Sequence, residues 1–138
     1  MPNPFIHSEL ATTDVRKAKA FYSKLFTWKL NDMPMPGPAG KYTIIETGDG
    51  PGSGGGMLKQ MMPDAPSAWM PYVLVDDIQA STKKAVKLGA RLMKDVTEVQ
   101  GMGWLSVVED PTGAVIGLWQ TKAESPARKV PVKKRRAR

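Results

Sequence analysis

The chain has one histidine, His7, and it stands two residues from an acid, Glu9, within Phe5-Ile6-His7-Ser8-Glu9-Leu10-Ala11. Residues two apart on an extended strand share a face, so an imidazole and a carboxyl would project together. The imidazole titrates near neutrality and can give or take a proton. The carboxyl can act as a base if burial or a neighbour raises its pKa. Both groups can also ligate a divalent metal. His7 and Glu9 are therefore the candidate catalytic pair. Three plainer roles stay open for them: contact with a ligand, lining of a pocket wall, and, for Glu9, a solvated or salt-bridged carboxylate. Other chemistries are excluded by composition and motif. There is no cysteine, hence no thiol nucleophile, disulfide or thiolate-bound metal. No G-x-S-x-G elbow occurs. The run Pro51-Gly52-Ser53-Gly54-Gly55-Gly56 lacks the Gly-Lys-Ser/Thr ending and following helix of a phosphate loop, and reads as a hairpin loop bordering a cleft.

These side chains need a scaffold, and the apolar pattern supplies one. After the strand at 5–11, Thr13 and Asp14 offer cap oxygens to a helix in which Val15, Ala18, Tyr22 and Leu25 recur at helical spacing. Strands follow at 28–33, 42–47 and 56–61, separated by Pro- and Gly-rich breaks. A connector, Pro63-Asp64-Ala65-Pro66, leads to a strand at 69–76, where Pro71 suggests an edge or bulge. Asp77 caps a second helix with Ile78, Ser81, Ala85 and Leu88 on one stripe, and Gly89 is placed to end it. Strands at 91–96, 104–109 and 114–121 complete the series, the last two joined by the turn Asp110-Pro111-Thr112-Gly113.

The order strand, helix, three strands occurs twice, and the residues repeat with it. At an offset of 63, Asp14 meets Asp77, Val15 meets Ile78, Leu25 meets Leu88, Ile44 meets Val107 and Glu46 meets Glu109. After the Gly-rich loop an offset of 60 brings Leu58 onto Leu118 and Gln60 onto Gln120. The expected fold is α+β: two tandem βαβββ modules, residues 4–62 and 68–121, forming a cupped eight-stranded mixed sheet around a cleft. One domain, residues 1–122, holds both.

Length and charge agree with a single globular domain. The chain has 138 residues, 41% apolar and 24% charged. Its net charge of +7 is carried entirely by residues 122–138, with eight basic residues and one acid. Residues 1–121 hold 12 basic and 12 acidic residues. Residues 123–138 are expected to form a disordered basic tail, either a solubilising extension or a weak, salt-sensitive contact for nucleic acid or an acidic surface. No signal-peptide pattern or membrane-length apolar run is present, so a cytoplasmic protein without a membrane partner is expected.

The stretches His7–Asp14, Phe21-Tyr22, Leu25-Phe26-Thr27-Trp28, Tyr72–Asp77 and above all Glu109–Gln120 make the chain resemble the vicinal oxygen chelate superfamily. That group includes glyoxalase I, bleomycin-resistance proteins and extradiol dioxygenases, and the similarity is greatest to a glyoxalase-like branch mostly without assigned reactions. The resemblance implies one ligand on the first and last strand of each module, at His7, Met57, Met70 and Gly117. Only His7 suits a hard divalent ion, and even with Glu9 a third ligand is missing. No cofactor is therefore expected, and a divalent metal is disfavoured while staying open. Strand alternation from these positions adds Lys59, Tyr72 and Trp119. The implied ligand-binding lining is Met57, Lys59, Met70, Tyr72, Gly117 and Trp119, an apolar and aromatic box beside His7 and Glu9. It suits a small, partly aromatic or amphiphilic ligand with one charged group, although the same residues could line a core or a dimer interface, as a Glu9–Lys59 ion pair would favour. The implied function is a small-molecule-binding protein, a lyase or isomerase without the usual four-ligand metal site, or a non-catalytic sequestering protein of the bleomycin-resistance type. The resemblance also implies a homodimer.

Overall fold

A computed structural model describes residues 2–48 and 54–122; the basic tail and most of the Gly-rich loop lie outside the described residues. The elements run β1 (Phe5–Thr12), α1 (Val15–Leu25), β2 (Lys29–Pro34), β3 (Lys41–Glu46), β4 (Gly55–Lys59), β5 (Ala68–Leu74), α2 (Ile78–Lys87), β6 (Arg91–Val99), β7 (Gly103–Glu109) and β8 (Val115–Thr121). The fold is α+β, two tandem βαβββ modules in one mixed sheet of order β2-β3-β4-β1-β5-β8-β7-β6. β1–β4 and β5–β8 pair parallel; the other ladders are antiparallel. No helix among the described residues is long and apolar enough to cross a membrane.

The helices begin where the aspartates dictate. Asp14 accepts from the Lys17 N–H and Asp77 from the Ala80 N–H, each at 3.0 Å, which satisfies an otherwise unpaired donor of the first turn. Gly89, at φ +106°, ends α2 in the left-handed conformation a side chain would resist. Under α1 lies a core of Leu10, Ile45 and Met57, flanked by Val15, Ala18, Tyr22, Trp28 and Leu30. Leu10 pairs with Met57 across β1 and β4, so alternation turns His7 and Glu9 to the opposite face.

The modules meet at β1 and β5, and the repeat explains their register. His7 pairs with Tyr72, and Glu9 with Met70. At the offset of 63, His7 corresponds to Met70 and Glu9 to Tyr72, so equivalent residues pair crosswise, as a local two-fold axis between the strands requires. The later part of the repeat needs a correction. Glu9 pairs with Gly56 while its counterpart Tyr72 pairs with Gly117. Ile44 pairs with Gly56 while its counterpart Val107 pairs with Gly117. The offset after the loop is therefore 61, not 60. A slip of one residue moves a whole strand's side chains to the other face. Met57 corresponds to Leu118, not Gly117, and lies fully buried in the core under α1. Lys59, two residues on and paired with Thr12, is on that same helix side. Neither lies on the face that carries His7 and Glu9.

Pro71 also differs from its edge expectation. β5 is interior to the sheet, but its ladder with β8 starts only at Tyr72. At Pro71 the strand is bare on that side, so the missing N–H leaves no gap in that ladder.

Candidate functional site

The face opposite the helices carries a connected group built on β1, β3 and β5. Glu9 accepts two hydrogen bonds, from the Tyr42 hydroxyl to Oε1 at 3.1 Å and from the Tyr72 hydroxyl to Oε2 at 3.3 Å. His7 Nε2 lies 2.8 Å from the Tyr42 oxygen. The Tyr42 proton is committed to Glu9, so the imidazole must carry its proton on Nε2 and donate it to Tyr42. The His7 ring also meets the edge of Tyr72, with centroids 5.8 Å apart and planes at 71°.

Two glycines make room for the two tyrosines. A Cβ on Gly56 would run into the Tyr42 ring and hydroxyl; one on Gly117 would run into the Tyr72 ring. These glycines occupy equivalent positions in the two modules. A side chain at either would push its tyrosine away from Glu9.

Burial governs the protonation of the group. It raises the Glu9 pKa above the ordinary 4.5, against the opposing pull of the two tyrosine hydroxyls and the positive charge of Lys94. Burial lowers the His7 pKa below 6.5. Both tyrosines are raised well above 10, first by burial and then by the negative charge of Glu9. Their hydroxyls therefore remain donors over the working range of the protein. A carboxyl whose pKa is raised by burial is a stronger base once ionised and can exchange a proton with a bound molecule.

The expected lining divides. Met70 and Tyr72 share the Glu9 face through the β1–β5 ladder, and Gly117 joins them through its pairing with Tyr72. Trp119 continues that face on β8. Its ring lies over Gly103, and its Nε1–H donates to Thr121 Oγ1 at 3.1 Å. Met57 and Lys59 are on the other side of the sheet, so a Glu9–Lys59 ion pair is ruled out. Two members were missed. Tyr42 is remote in sequence, and its only signal is the small residue opposite its strand neighbour, Gly56 paired with Ile44. Lys94 on β6 is the cation whose field reaches Glu9, and no spacing in the sequence announces it.

The metal positions implied by the resemblance, taken at the observed register, are His7, Gly56, Met70 and Gly117. One imidazole, one thioether and two glycines do not fit a divalent ion. Among the described residues, no three His, Asp or Glu side chains form a cluster that could hold one. A groove of about 370 Å³ lined by Asp76, Asp77, Ile78, Gln79, Trp104 and Gln120 lies at the start of α2, separate from the Glu9 group.

Residues 7–118 match the family described as a glyoxalase-like domain. The chain belongs to the glyoxalase-like family. This places it in the vicinal oxygen chelate superfamily. It is 37% identical over 116 residues to the Mycobacterium tuberculosis protein named "Putative glyoxylase CFP32", covering 81% of this chain and 43% of that one. It is 28% identical over 130 residues to the anthracycline biosynthesis protein DnrV of Streptomyces peucetius, covering 81% and 45%. The chain thus spans less than half the length of these relatives. Among solved structures, the hypothetical protein BH1468 of Bacillus halodurans superposes with a TM-score of 0.67 at 15% identity, over 91% of this chain and 99% of the other. Methylmalonyl-CoA epimerase of Mycobacterium tuberculosis gives 0.65 at 12%, over 86% and 88%. Likeness at this identity establishes the glyoxalase fold and leaves the reaction to the site.

Proposed function

We propose that this glyoxalase-like chain binds a small metabolite on the open sheet face and transfers a proton on it, as a lyase or isomerase, with Glu9 as the acid–base group. The observation that carries this reading is one buried carboxyl held by two tyrosine hydroxyls on the face of the sheet opposite the helices. In the step envisaged, ionised Glu9 removes a proton from a carbon next to a carbonyl. The C–H bond breaks, an O–H bond forms on Glu9, and the electron pair moves to the carbonyl oxygen. Return of the proton from Glu9 to a neighbouring carbon, with the electron pair moving back from the oxygen, completes an isomerisation. Tyr42 and Tyr72 orient the carboxyl, and His7 fixes the direction of the Tyr42 hydroxyl. The names glyoxylase and epimerase among the relatives and structural neighbours are compatible with such chemistry.

Hydrogen–deuterium exchange tests it without a known substrate. Small carbonyl compounds incubated with the protein in D2O are expected to lose their α-proton NMR signals, and Glu9→Gln to stop the loss. Exchange that continues unchanged in Glu9→Gln would remove Glu9 from the chemistry. A second reading, a sequestering protein of the bleomycin-resistance type, is favoured by the apolar wall of Met70, Tyr72 and Trp119; it expects tight binding with no exchange. Both readings include a cytoplasmic homodimer. Support for self-association comes from the exposed apolar patch of Phe21 and Leu25, 58% and 56% accessible. The basic tail, as a contact for nucleic acid or an acidic surface, remains a separate proposal, tested by salt-dependent retention with and without residues 123–138.

A further inference from the structure

We propose that the outer flank of α1, together with Trp69, is the surface on which a second copy of this chain docks. The inference rests on the homodimer reading and deepens it by naming where the copies meet. It starts from a shortfall in burial. In α2, Ile78 and Thr82 are buried, whereas α1 has no buried residue; Val15, Ala18 and Tyr22 are only partly covered by the core beneath them. Around Tyr22 the rings form one continuous layer. Its centroid lies 5.0 Å from that of Phe21, 5.6 Å from Trp69 and 5.7 Å from Trp28, and Phe26 packs on Trp28 at 4.7 Å. Trp69 joins the layer from β5, since its pairing with Leu10 puts it on the helix side. Its Nε1–H donates to the Tyr22 hydroxyl at 3.2 Å. Phe21, Leu25, Phe26 and Trp69 nevertheless remain 41–58% exposed.

The repeat shows that the fold does not require these rings. At the offset of 63, Phe21 corresponds to Lys84, Tyr22 to Ala85, Phe26 to Gly89 and Trp28 to Arg91, and only Leu25 keeps its identity, as Leu88. The second module seats its helix on the same sheet with small and charged residues at those places. With about half of each side chain open, Phe21, Leu25, Phe26 and Trp69 expose on the order of 400 Å², enough to mark an interaction site on a soluble chain. Two copies meeting there would withdraw about 800 Å² before the rim is counted, close to the ~1,000 Å² that a specific interface needs. Ring-on-ring contact is self-complementary, as a two-fold interface must be. The rings are already packed on one another, which keeps the ordering cost low. The sheet edges are poor alternatives: β2 ends in Pro34, and β6 carries Arg91, Lys94, Asp95 and Glu98 with two register shifts. In the mycobacterial relative the matched residues are 43% of the chain. More than as much again lies outside the match there, enough for a domain of this size to cover the face in cis; a second copy covers it in trans.

Sedimentation equilibrium of the full chain tests the surface. The native chain is expected to form dimers, and the double variant Phe21→Ser, Leu25→Ser to associate about a hundredfold more weakly or worse, because a few large anchors dominate an interface. Leu88→Ser, the equivalent change on α2 at a residue 70% exposed, should leave association unchanged. Lys17 and Lys24 flank Phe21 at helical spacing, so like charges approach one another and added salt should tighten the dimer. Without any substitution, amide hydrogen exchange of the native chain should slow in α1 as concentration rises and stay constant in α2. Glu9 lies on the opposite face of the sheet, so proton exchange by the double variant reports separately on the Glu9 reading. A native chain that stays monomeric, whether or not it binds anionic lipid vesicles through Phe21 and Leu25, would overturn the proposal together with the homodimer. A dimer undiminished in the double variant, weakened equally in Leu88→Ser, or formed without slower exchange in α1 would overturn this surface alone.

Discussion

The two modules solve one structural problem in different ways. At equivalent positions, each ties its helix to the sheet through a hydroxyl. In the first, Thr43 Oγ1 donates to Asp32 at 2.7 Å, and Lys19 from α1 reaches the same carboxylate at 2.8 Å, with Lys41 beside it at 3.4 Å. In the second, the counterparts of Thr43 and Lys19 are Ser106 and Thr82. Thr82 donates to the Ile78 carbonyl at 2.6 Å, so Ser106 must donate to Thr82 at 2.9 Å. The first tie is ionic and open to water; the second is neutral and buried. The cleft side shows a parallel division. Where the first module has Glu9, His7 and Tyr42, the second has Tyr72, Met70 and Leu105 at the same register. Duplication supplied two equal stages. At these three positions the carboxyl and the imidazole belong to the first module, and the second has apolar side chains with a single hydroxyl.

Where the modules are alike, equal damage is expected. Gly56→Ala and Gly117→Ala each place a methyl group inside a tyrosine ring. Each should cost about 1–3 kcal/mol, the usual range for forcing atoms into a packed site, and each should displace its own tyrosine from Glu9. Denaturant unfolding of the two variants checks the parity; a cost confined to one would break the equivalence of the glycines.

Much of this was legible in the sequence. The capping aspartates and the 63-residue repeat follow from the residue pattern, and so does the shared face of His7 and Glu9; Met70 and Gly117 come from the resemblance to the superfamily, and Tyr72 and Trp119 from strand alternation applied to them. The slip at Met57 and Lys59 has a definite origin. Past the Gly-rich loop, Leu58 with Leu118 and Gln60 with Gln120 align at an offset of 60, but backbone hydrogen bonding obeys 61. Side-chain identity cannot count the residues in a loop, and one residue reverses a strand. Tyr42 was hidden because strands two apart in the sheet contribute to Glu9 through long side chains, which no local spacing encodes. Lys94 lies four strands from Glu9 in the sheet, beside register shifts in β6 that no spacing in the sequence encodes.

Where the modules differ, unequal damage is expected. Ser106→Ala removes the donor to a buried hydroxyl and should cost about 1–2 kcal/mol, with little response to salt. Asp32→Asn should cost less, under about 1 kcal/mol, since its two lysine partners are screened by solvent and the amide oxygen can still accept from the buried Thr43 hydroxyl. The Asp32 pKa is lowered to about 2, chiefly by the hydrogen bond from Lys19 and then by that from Thr43. A depressed carboxylate contributes stability above its ordinary value of 3.8 and loses it as pH falls toward about 2. The Asp32→Asn deficit should therefore vanish in acid and shrink in high salt, and the Ser106→Ala deficit should do neither. Melting temperatures across pH and salt distinguish them.

A smaller effect, of opposite sign, is expected at Glu9. A carboxyl whose pKa is raised by folding has its full stabilising effect below its ordinary value and loses it as pH rises through the folded value. Glu9→Gln should thus gain in melting temperature relative to the native chain as pH rises from 4.5 toward neutrality. His7 works the other way: its lowered pKa makes folding weaker as pH falls below 6.5, and His7→Gln should lessen that acid-side loss.

The account turns on the protonation of Glu9 and can be tested there directly. The side-chain carboxyl carbon of Glu9, labelled with carbon-13 and assigned by its absence in Glu9→Gln, can be followed by NMR through a pH titration. A midpoint above 4.5, moving higher in Lys94→Gln and in Tyr42→Phe as each loses a group favouring the charged form, is the predicted result. A midpoint at or below 4.5, insensitive to both substitutions, would contradict it.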